Sequence, residues 1–241
     1  MVWFAFFFAY WVLLFDVRRR GLSLQPMNVI WIFAVTGLAG SKLYHLLEQP
    51  REFLSDPIGL FFSGSGFAWF GGFLSGLVAV LWLARHYKIP RLVLFDTLSP
   101  AAALGYAIGR IGCLLSGDGD YGIATDLPWG MAFPNGLVPT VPGVRVHPTP
   151  IYEFVLFGLI AWVLWRLGAR LLGKRARTGE VFAGYLILTG AARFAVELIR
   201  INPRSVFGIL SNAQTVSVCS VVAGIVLLAV LRRRPETSGN L

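Results

Sequence analysis

Seven apolar runs divide this chain of 241 residues, and they set the strongest limit on its fold. A helix needs roughly 20 apolar residues to cross the hydrocarbon core of a membrane, and the runs approach or exceed that length. Only 14% of the residues are charged, whereas a soluble protein carries about 25%. The pattern predicts an all-α, polytopic membrane helix bundle of about seven transmembrane helices, which cover residues 2–15, 28–47, 67–84, 93–115, 149–166, 181–200 and 208–231.

Basic residues gather after every second apolar run, and this predicts the orientation of the chain. The clusters lie at 18–20, 85–91, 166–177 and 232–234. Because loops rich in lysine and arginine stay in the cytoplasm, we expect the N-terminus outside and the C-terminus in the cytoplasm. The net charge of +9 is concentrated at these run ends. It therefore predicts membrane orientation, and no nucleic-acid partner is expected.

The segments between the runs predict how the chain is organised. We expect residues 1–241 to form a single integral membrane domain. Proline and glycine in 48–66 favour an arm on the membrane surface. The longest polar stretch, 116–148, is predicted to form a small cap on the outer, periplasmic side, with short strands around 128–146. The polar end of the chain, 235–241, is predicted to be a disordered cytoplasmic tail.

Charged residues within the apolar runs are the best candidates for function, because a charge at the bilayer centre costs roughly 2.5–3.5 kcal/mol on insertion scales. Arg110 lies inside the fourth run, between Gly109 and Gly112. These glycines narrow the helix and leave space for a neighbouring backbone or a ligand. A guanidinium group binds phosphate well, which predicts an anion site. Snorkelling of Arg110 to the headgroups is the structural alternative.

A second group of charged residues lies in the sixth run. Arg193 and Glu197 are four residues apart and share a helix face, and Arg200 follows three residues later. A self-neutralising ladder that only packs the helix is the alternative to a functional role. At the start of the fifth run, His147, Tyr152 and Glu153 flank two prolines that mark a helix start. Glu153 either serves the site or only caps that helix.

Other features carry less information. The pair Gly71-Gly72 opens the third run and indicates close helix packing or substrate contact, and Gln214 lies at the polar start of the last run. The chain contains no zinc-ligand spacing, P-loop or dinucleotide fingerprint, so we predict no metal and no cofactor. Arginines and carboxylates near one end of the bundle indicate a site for an anionic, phosphate-bearing lipid. A transporter of anionic lipids or small solutes would use the same residues.

The run from Gly109 to Gly122, with its Gly-Arg-Ile-Gly-Cys start and Gly117-Asp118, resembles the signature of the prolipoprotein diacylglyceryl transferases. Segments that agree in order and spacing cover nearly the whole chain. They are 18–22, the glycine pair at 71–72, 147–153, Gly184-Tyr185 with Arg193 to Glu197, and the segment around Gln214.

The resemblance implies a bacterial inner-membrane transferase. Such an enzyme moves the diacylglyceryl group of phosphatidylglycerol to the lipobox cysteine that follows the signal peptide of a prolipoprotein, and it releases glycerol phosphate. Its partners would be this lipid, the prolipoprotein and the bilayer. The resemblance implies that Arg110, Arg193, Asp118 and Glu197 are catalytic. The implied substrate-binding residues are Gly71, Gly72, Gly109, Gly112, Gly122, His147, Tyr152, Glu153 and Gln214.

The chain departs from the family pattern at three points. Phe70 stands where many members have a histidine, Cys113 stands where asparagine is frequent, and the first run lacks an evident tyrosine-glycine pair. A catalytically inactive scaffold that keeps the fold is therefore a further alternative. For an active enzyme, Asp118, Glu153 and His147 are candidate proton acceptors. The positive charge of the site could instead lower the pKa of the substrate thiol.

Overall fold

Long α-helices make up most of the protein in a computed structural model, which describes residues 1–62, 68–171, 178–202 and 209–233. The predicted tail at 235–241 lies outside the described residues. In the described part of the chain the helices, in order, are α1 (Val2–Arg19), α2 (Pro26–Glu48), α3 (Pro50–Ser55), α4 (Pro57–Phe62), α5 (Trp69–His86), α6 (Arg91–Ser116), α7 (Thr149–Leu171), α8 (Glu180–Glu197) and α9 (Asn212–Arg233).

The long helices fall where the apolar runs predicted them. Four of them, α2, α6, α7 and α9, are long and apolar enough to cross a membrane. The apolar part of α5 is shorter, at Phe70–His86. The helices α1 and α8 each have 18 residues, and each includes three charged side chains. The predicted class, a polytopic helical membrane protein, is confirmed, whereas membrane crossing by α1, α5 and α8 stays a prediction.

Local sequence signals explain where several helices begin. Proline is the first residue of α2, α3 and α4 and the second of α7, where its missing N–H costs no helical hydrogen bond. At the start of α8, Gly179 has φ of 107°. The carboxylate of Asp96 on α6 accepts hydrogen bonds there from the N–H groups of Gly179 (2.7 Å) and Phe182 (2.8 Å). A side chain of another helix therefore caps α8.

The chain divides into two compact units. The first unit comprises Met1–Arg20 and Phe95–Leu241, and the second comprises Gly21–Leu94. In the second unit α2 packs along α5. A Cβ atom on Gly40 would come within 2.7 Å of the carbonyl oxygen of Gly71, so only glycine permits this approach of the two backbones. The predicted surface arm, 48–66, contains α3 and α4 up to residue 62.

In the first unit, α8 packs against both α7 and α9. Buried apolar residues of α6, α7 and α8 form its core, with Ala103, Leu164 and Val181 at the centre. The guanidinium group of Arg19 at the end of α1 donates to the carbonyl oxygen of Trp165 on α7 at 2.9 Å. The apolar residues Trp3, Phe4 and Phe7 of α1 are exposed, as expected for side chains in contact with lipid.

The segment 117–148 connects α6 to α7 without forming a helix. The described residues there form only isolated bridges, which pair Ala124 and Met131 with Val146, and no strand. The prediction of short strands around 128–146 is therefore wrong. A third bridge pairs Gly122 with Arg200 and ties this segment to the end of α8. This contact places the residues that follow α6 beside those that follow α8.

Candidate active site: a cluster of arginines and carboxylates

Three arginines and three carboxylates meet at one end of the first unit, and we name this group the arginine–carboxylate cluster. Its members come from α6, α7, α8 and the segments that follow α6 and α8. Ion pairs connect all six residues, which are Arg110, Asp120, Glu153, Arg193, Glu197 and Arg200. The fold therefore brings together the predicted residues Arg110, Glu153, Arg193 and Glu197.

Glu153 is the centre of the cluster. Its side chain is completely buried in the first turns of α7. Oε1 lies 2.9 Å from Nη1 of Arg193, and Oε2 lies 3.1 Å from Nε of Arg110 and 3.6 Å from Nη1 of Arg200. A buried carboxylate must be compensated by opposite charge or hydrogen bonds. Because three arginines supply that compensation, Glu153 does much more than cap α7.

Glu197 holds the second arginine. Its Oε2 lies 2.9 Å from Nη2 of Arg193, as the spacing of four residues predicted. Its Oε1 accepts hydrogen bonds of 2.7 Å from the side-chain amide of Asn202 and from the hydroxyl of Ser211. Arg193 therefore lies between two buried carboxylates, and its guanidinium group is fixed on both sides.

Asp120 joins the other two arginines. Its two carboxylate oxygens pair separately with Arg110 and Arg200. Burial of Asp120 opposes its ionisation, but the charges and hydrogen bonds of Arg200 and Arg110 outweigh that effect and hold the pKa of this carboxyl group below its ordinary value. Asp120 is therefore an anion at neutral pH. The sequence indicated Asp118 as the catalytic acidic residue of the signature and did not single out Asp120.

Tyr106 is a second residue that sequence reasoning missed. Its hydroxyl oxygen accepts a hydrogen bond from Nη2 of Arg110 at 2.7 Å, and the hydroxyl donates to Oε1 of Glu153 at 2.9 Å. The guanidinium carbon of Arg110 also lies 4.7 Å from the centre of the tyrosine ring. Tyr106 precedes Arg110 by four residues and so lies on the same helix face. That spacing was a signal in the sequence that could have identified it.

The formal charges of the cluster cancel, since three guanidinium groups face three carboxylates. The sequence suggested a site whose excess positive charge would lower the pKa of a substrate thiol. Within the described residues each of these arginines is instead paired with a carboxylate, which weakens that explanation. The two carboxylates on the helices, Glu153 and Glu197, are buried, whereas the side chain of Asp120 is 29% exposed.

Asp118 lies beside this cluster and makes none of the ion pairs that join its members. Its Oδ1 accepts a hydrogen bond of 3.2 Å from the backbone N–H of Asp120. A carboxylate oxygen of Asp118, one of Asp120 and Sγ of Cys113 all lie within 4.8 Å of one another, a spacing that could hold a metal ion. Arg110 donates to Sγ at 3.6 Å and also pairs with Asp120. Its positive charge would oppose a cation there.

His147 and Tyr152 form a separate hydrogen-bonded group with Trp129. The indole N–H of Trp129 donates to the hydroxyl oxygen of Tyr152 at 2.8 Å, and that oxygen lies 3.1 Å from Nδ1 of His147. The backbone of His147 pairs with Gly122 and Ile123. The two predicted substrate-binding side chains thus stabilise the segment after α6, and they form no ion pair or hydrogen bond with the cluster in the described residues.

The signature glycines have different surroundings. A Cβ atom on Gly122 would come within 2.6 Å of the carbonyl oxygen of Ile199, so glycine is required where the segment after α6 meets the end of α8. Gly109 faces open space, and a Cβ atom on Gly112 would touch the side chain of Met1 at 3.4 Å. Gly122 therefore has a structural role, whereas the described residues leave space beside α6 at Gly109.

The remaining predicted residues make local contacts within their own units. Gly71 and Gly72 lie in the second unit, where they face α2. Phe70 is 52% exposed, and its ring centre lies 6.4 Å from that of Tyr44. The side-chain oxygen of Gln214 accepts from the N–H of Ser211 at 3.0 Å, and the Ser211 hydroxyl oxygen accepts from the N–H of Gln214 at 3.1 Å. This reciprocal pair caps α9.

Comparisons with known proteins agree with the resemblance noted in the signature. Residues 1–230 match the family model for prolipoprotein diacylglyceryl transferase. The chain is similar to proteins named phosphatidylglycerol–prolipoprotein diacylglyceryl transferase. The one from Clostridium tetani is 31% identical over 93% of this chain and 89% of the relative. The one from Geobacter sulfurreducens is 34% identical over 95% of this chain and 88% of the relative.

A third relative with the same name, from Methylobacillus flagellatus, is 36% identical over 82% of this chain and 74% of the relative. The matched residues include every member of the arginine–carboxylate cluster, since the family model extends from residue 1 to residue 230. The match covers nearly the whole chain, including every long helix through most of α9. The chain therefore belongs to the prolipoprotein diacylglyceryl transferase family.

Proposed function

We propose that this protein transfers the diacylglyceryl group of phosphatidylglycerol to the cysteine thiol of prolipoproteins. The observation that carries the proposal is the arginine–carboxylate cluster, in a chain whose relatives are named for this reaction. The relatives' names favour this transferase over the transporter and over the inactive scaffold. The reaction is a displacement at carbon that transfers no electrons, so it calls for no redox cofactor.

The reaction forms one bond and breaks another. The sulfur of the lipobox cysteine attacks the primary carbon of the glycerol backbone that carries the phosphate. The bond from that carbon to the phosphate oxygen breaks, and its electron pair leaves with glycerol phosphate. The thiol proton passes to a base. Negative charge grows on the departing phosphate, so fixed cations in a site with little water lower the barrier.

The arginines of the cluster suit the departing phosphate. Arg110, Arg193 and Arg200 are oriented by carboxylates and by Tyr106, so they would not need to reorganise as the charge develops. Their forked N–H groups match phosphate oxygens. Two N–H groups of Arg200, at Nε and Nη1, make no hydrogen bond in the described residues, although carboxylates lie 3.6 and 3.7 Å away. These two groups face the buried carboxylates of Glu153 and Glu197, which helps to hold the guanidinium group of Arg200 in place.

Asp118 is the best of the three proton acceptors that the sequence suggested. Glu153 is buried and already holds three arginines, so it is a poor base. His147 is engaged with Tyr152. Asp118 makes none of the cluster's ion pairs, and one of its carboxylate oxygens lies within 4.8 Å of an oxygen of Asp120, which contacts the arginines. We propose that it accepts the thiol proton directly or through water.

The proposed substrates fit a membrane protein with this charge pattern. The acceptor would be the lipobox cysteine that follows a signal peptide, and the donor would be a lipid of the surrounding bilayer. We propose that the protein lies in the bacterial inner membrane with its N-terminus outside and its C-terminus in the cytoplasm. In that orientation, residues 116–148 form a periplasmic cap over the cluster, and the helices α3 and α4 of the predicted arm lie on the membrane surface.

A test in cells separates the transferase from an inactive scaffold. The chain is expressed in a bacterium from which its own diacylglyceryl transferase can be depleted. We expect mature lipoproteins to be restored, because the cluster is intact although Phe70 replaces a histidine. An Arg193→Ala variant expressed at the same level is the inactive control. Unprocessed prolipoprotein in cells that contain the intact chain would contradict the proposal.

A further inference from the structure

Asp120 differs from the other two carboxylates of the cluster. Glu153 and Glu197 are buried on α7 and α8, whereas Asp120 lies in the segment after α6 and is 29% exposed. It pairs through one oxygen with Arg110 and through the other with Arg200. A phosphodiester group presents two charged oxygens in a similar way. The carboxylate of Asp120 therefore occupies the kind of position that a lipid phosphate would take.

We infer that Asp120 is a built-in substitute for the lipid phosphate, and that phosphatidylglycerol must displace its carboxylate from Arg110 and Arg200. The inference rests on the proposed function, since it concerns how the same site receives its lipid. Without a lipid, Asp120 keeps two neighbouring arginines compensated. With a lipid, the phosphodiester replaces it charge for charge. The affinity of the site for the lipid then depends on how firmly Asp120 holds the arginines.

Charge balance supports this exchange. The cluster is neutral with Asp120 in place. An added phosphodiester would leave one uncompensated negative charge among buried groups, which is costly. Movement of Asp120 away from the arginines removes that excess. Glu153 and Glu197 have less freedom to leave, because their side chains are buried whereas that of Asp120 is partly exposed.

The hydrogen bonds of Arg200 support it as well. The side chain is only 5% exposed, yet Nε and Nη1 make no hydrogen bond in the part of the chain that the structure describes. These two groups lie 3.7 Å from Oε2 of Glu197 and 3.6 Å from Oε2 of Glu153, so Arg200 keeps two carboxylate neighbours when Asp120 leaves. The remaining nitrogen, Nη2, pairs with Asp120 and is the donor that a phosphate oxygen would take over.

The backbone of Asp120 is anchored independently of its carboxylate. The hydroxyl of Thr149 donates to its carbonyl oxygen at 2.6 Å. The backbone N–H of Asp120 donates to Asp118. A rotation of the side chain is therefore sufficient to release both arginines, and the segment after α6 can stay in place.

The test compares Asp120→Asn with Asp126→Asn in the purified full chain. Asp126 is exposed in the same segment, so its substitution removes the same charge without touching the arginines. We expect the carboxylate of Asp120 to hold the two arginines for most of the time in the lipid-free protein. Removal of its charge should then lower KM for phosphatidylglycerol by about tenfold. Asp126→Asn should leave KM unchanged. An unchanged or higher KM for Asp120→Asn, with kcat lost, would overturn the inference.

A binding measurement tests the same inference if Asp120→Asn proves too unstable for kinetic measurements. The unfolding temperature of each detergent-solubilised protein is recorded with and without glycerol phosphate, because a ligand that binds the folded state raises it. We expect a larger rise for Asp120→Asn than for the unsubstituted protein. Equal rises contradict the inference. Failure of the proposed function would appear separately, as absent transfer by the unsubstituted protein in the same preparations.

Discussion

The carboxylate of Glu153 on α7 lies 2.9 Å from Nη1 of Arg193 on α8, in the interior of the first unit. Solvent would not fully compensate either charge if the other were removed, since Glu153 is completely buried and the side chain of Arg193 is only 20% exposed. The pair connects two neighbouring helices at the point where the reaction is proposed to occur. It therefore links the stability of the fold to the chemistry of the site.

Glu153→Gln should destabilise the protein strongly. The substitution leaves three arginines with two carboxylates, and breaking a buried ion pair costs about 3–5 kcal/mol. We expect a clear fall in the unfolding temperature in detergent, together with loss of transfer. Glu48→Gln is the matched control, because Glu48 is exposed at the end of α2. Equal stability of the two variants would show that Glu153 is not the centre of the cluster.

Arg110→Lys should abolish most of the transfer although it keeps the charge. Three sides of the guanidinium group are in use, by Asp120, by Glu153 at 3.1 Å and by Tyr106 at 2.7 Å. A lysine ammonium cannot reproduce this geometry, and we expect kcat to fall by about 10²-fold or more. The measurement is the initial rate at equal protein level. Arg91→Lys, at an exposed position, should keep full activity. Near-normal turnover of Arg110→Lys would disprove the phosphate role.

Asp118→Asn should lower kcat while the cluster stays intact. Loss of a general base reduces a rate by roughly 10²–10⁴-fold. KM for the lipid should change little, because Asp118 makes none of the ion pairs in the cluster. Phe70→His is the companion variant, and we expect it to change the rate by less than about tenfold, because an acceptor is already present. A large gain with Phe70→His and a small loss with Asp118→Asn would reverse this assignment.

The orientation of the chain is tested by labelling single cysteines with a reagent that cannot cross membranes. Both native cysteines, Cys113 and Cys219, are first replaced. Cysteines introduced at 120–145 should react in intact cells, and those at 170–176 should react only after permeabilisation. The basic residues around 170–176 give the reason, since such loops stay in the cytoplasm. Reaction of both segments from the same side would contradict the predicted orientation.

The sequence was sufficient to predict the long helices, because apolar length and helix-start signals are local. The helices α2 and α7 start within a few positions of the prolines that predicted them. Helix ends likewise lie within a few positions of the basic residues that follow the apolar runs. The pairing of Arg193 with Glu197 was predictable for the same reason, since four residues make one helical turn. Helix boundaries and contacts within one helix are thus accessible to sequence reasoning.

Contacts between helices were not accessible in that way. The ion pairs of Glu153 with Arg110 on α6 and Arg193 on α8 depend on how α6, α7 and α8 pack. A single sequence does not specify that packing. The choice between Asp118 and Asp120 depends on the conformation of the segment after α6. Gly117 and Gly119 have φ values of 58° and 89° there, and these turns direct Asp120 toward the arginines. Spacing within the signature could not distinguish the two.

The most direct test of the central claim is mass spectrometry of a lipobox peptide incubated with the purified protein and phosphatidylglycerol of known acyl composition. The account predicts that the cysteine gains one diacylglyceryl group in thioether linkage, and that one glycerol phosphate is released for each modified peptide. A peptide with serine in place of that cysteine should stay unmodified. An unmodified cysteine peptide in the presence of folded protein would contradict the account.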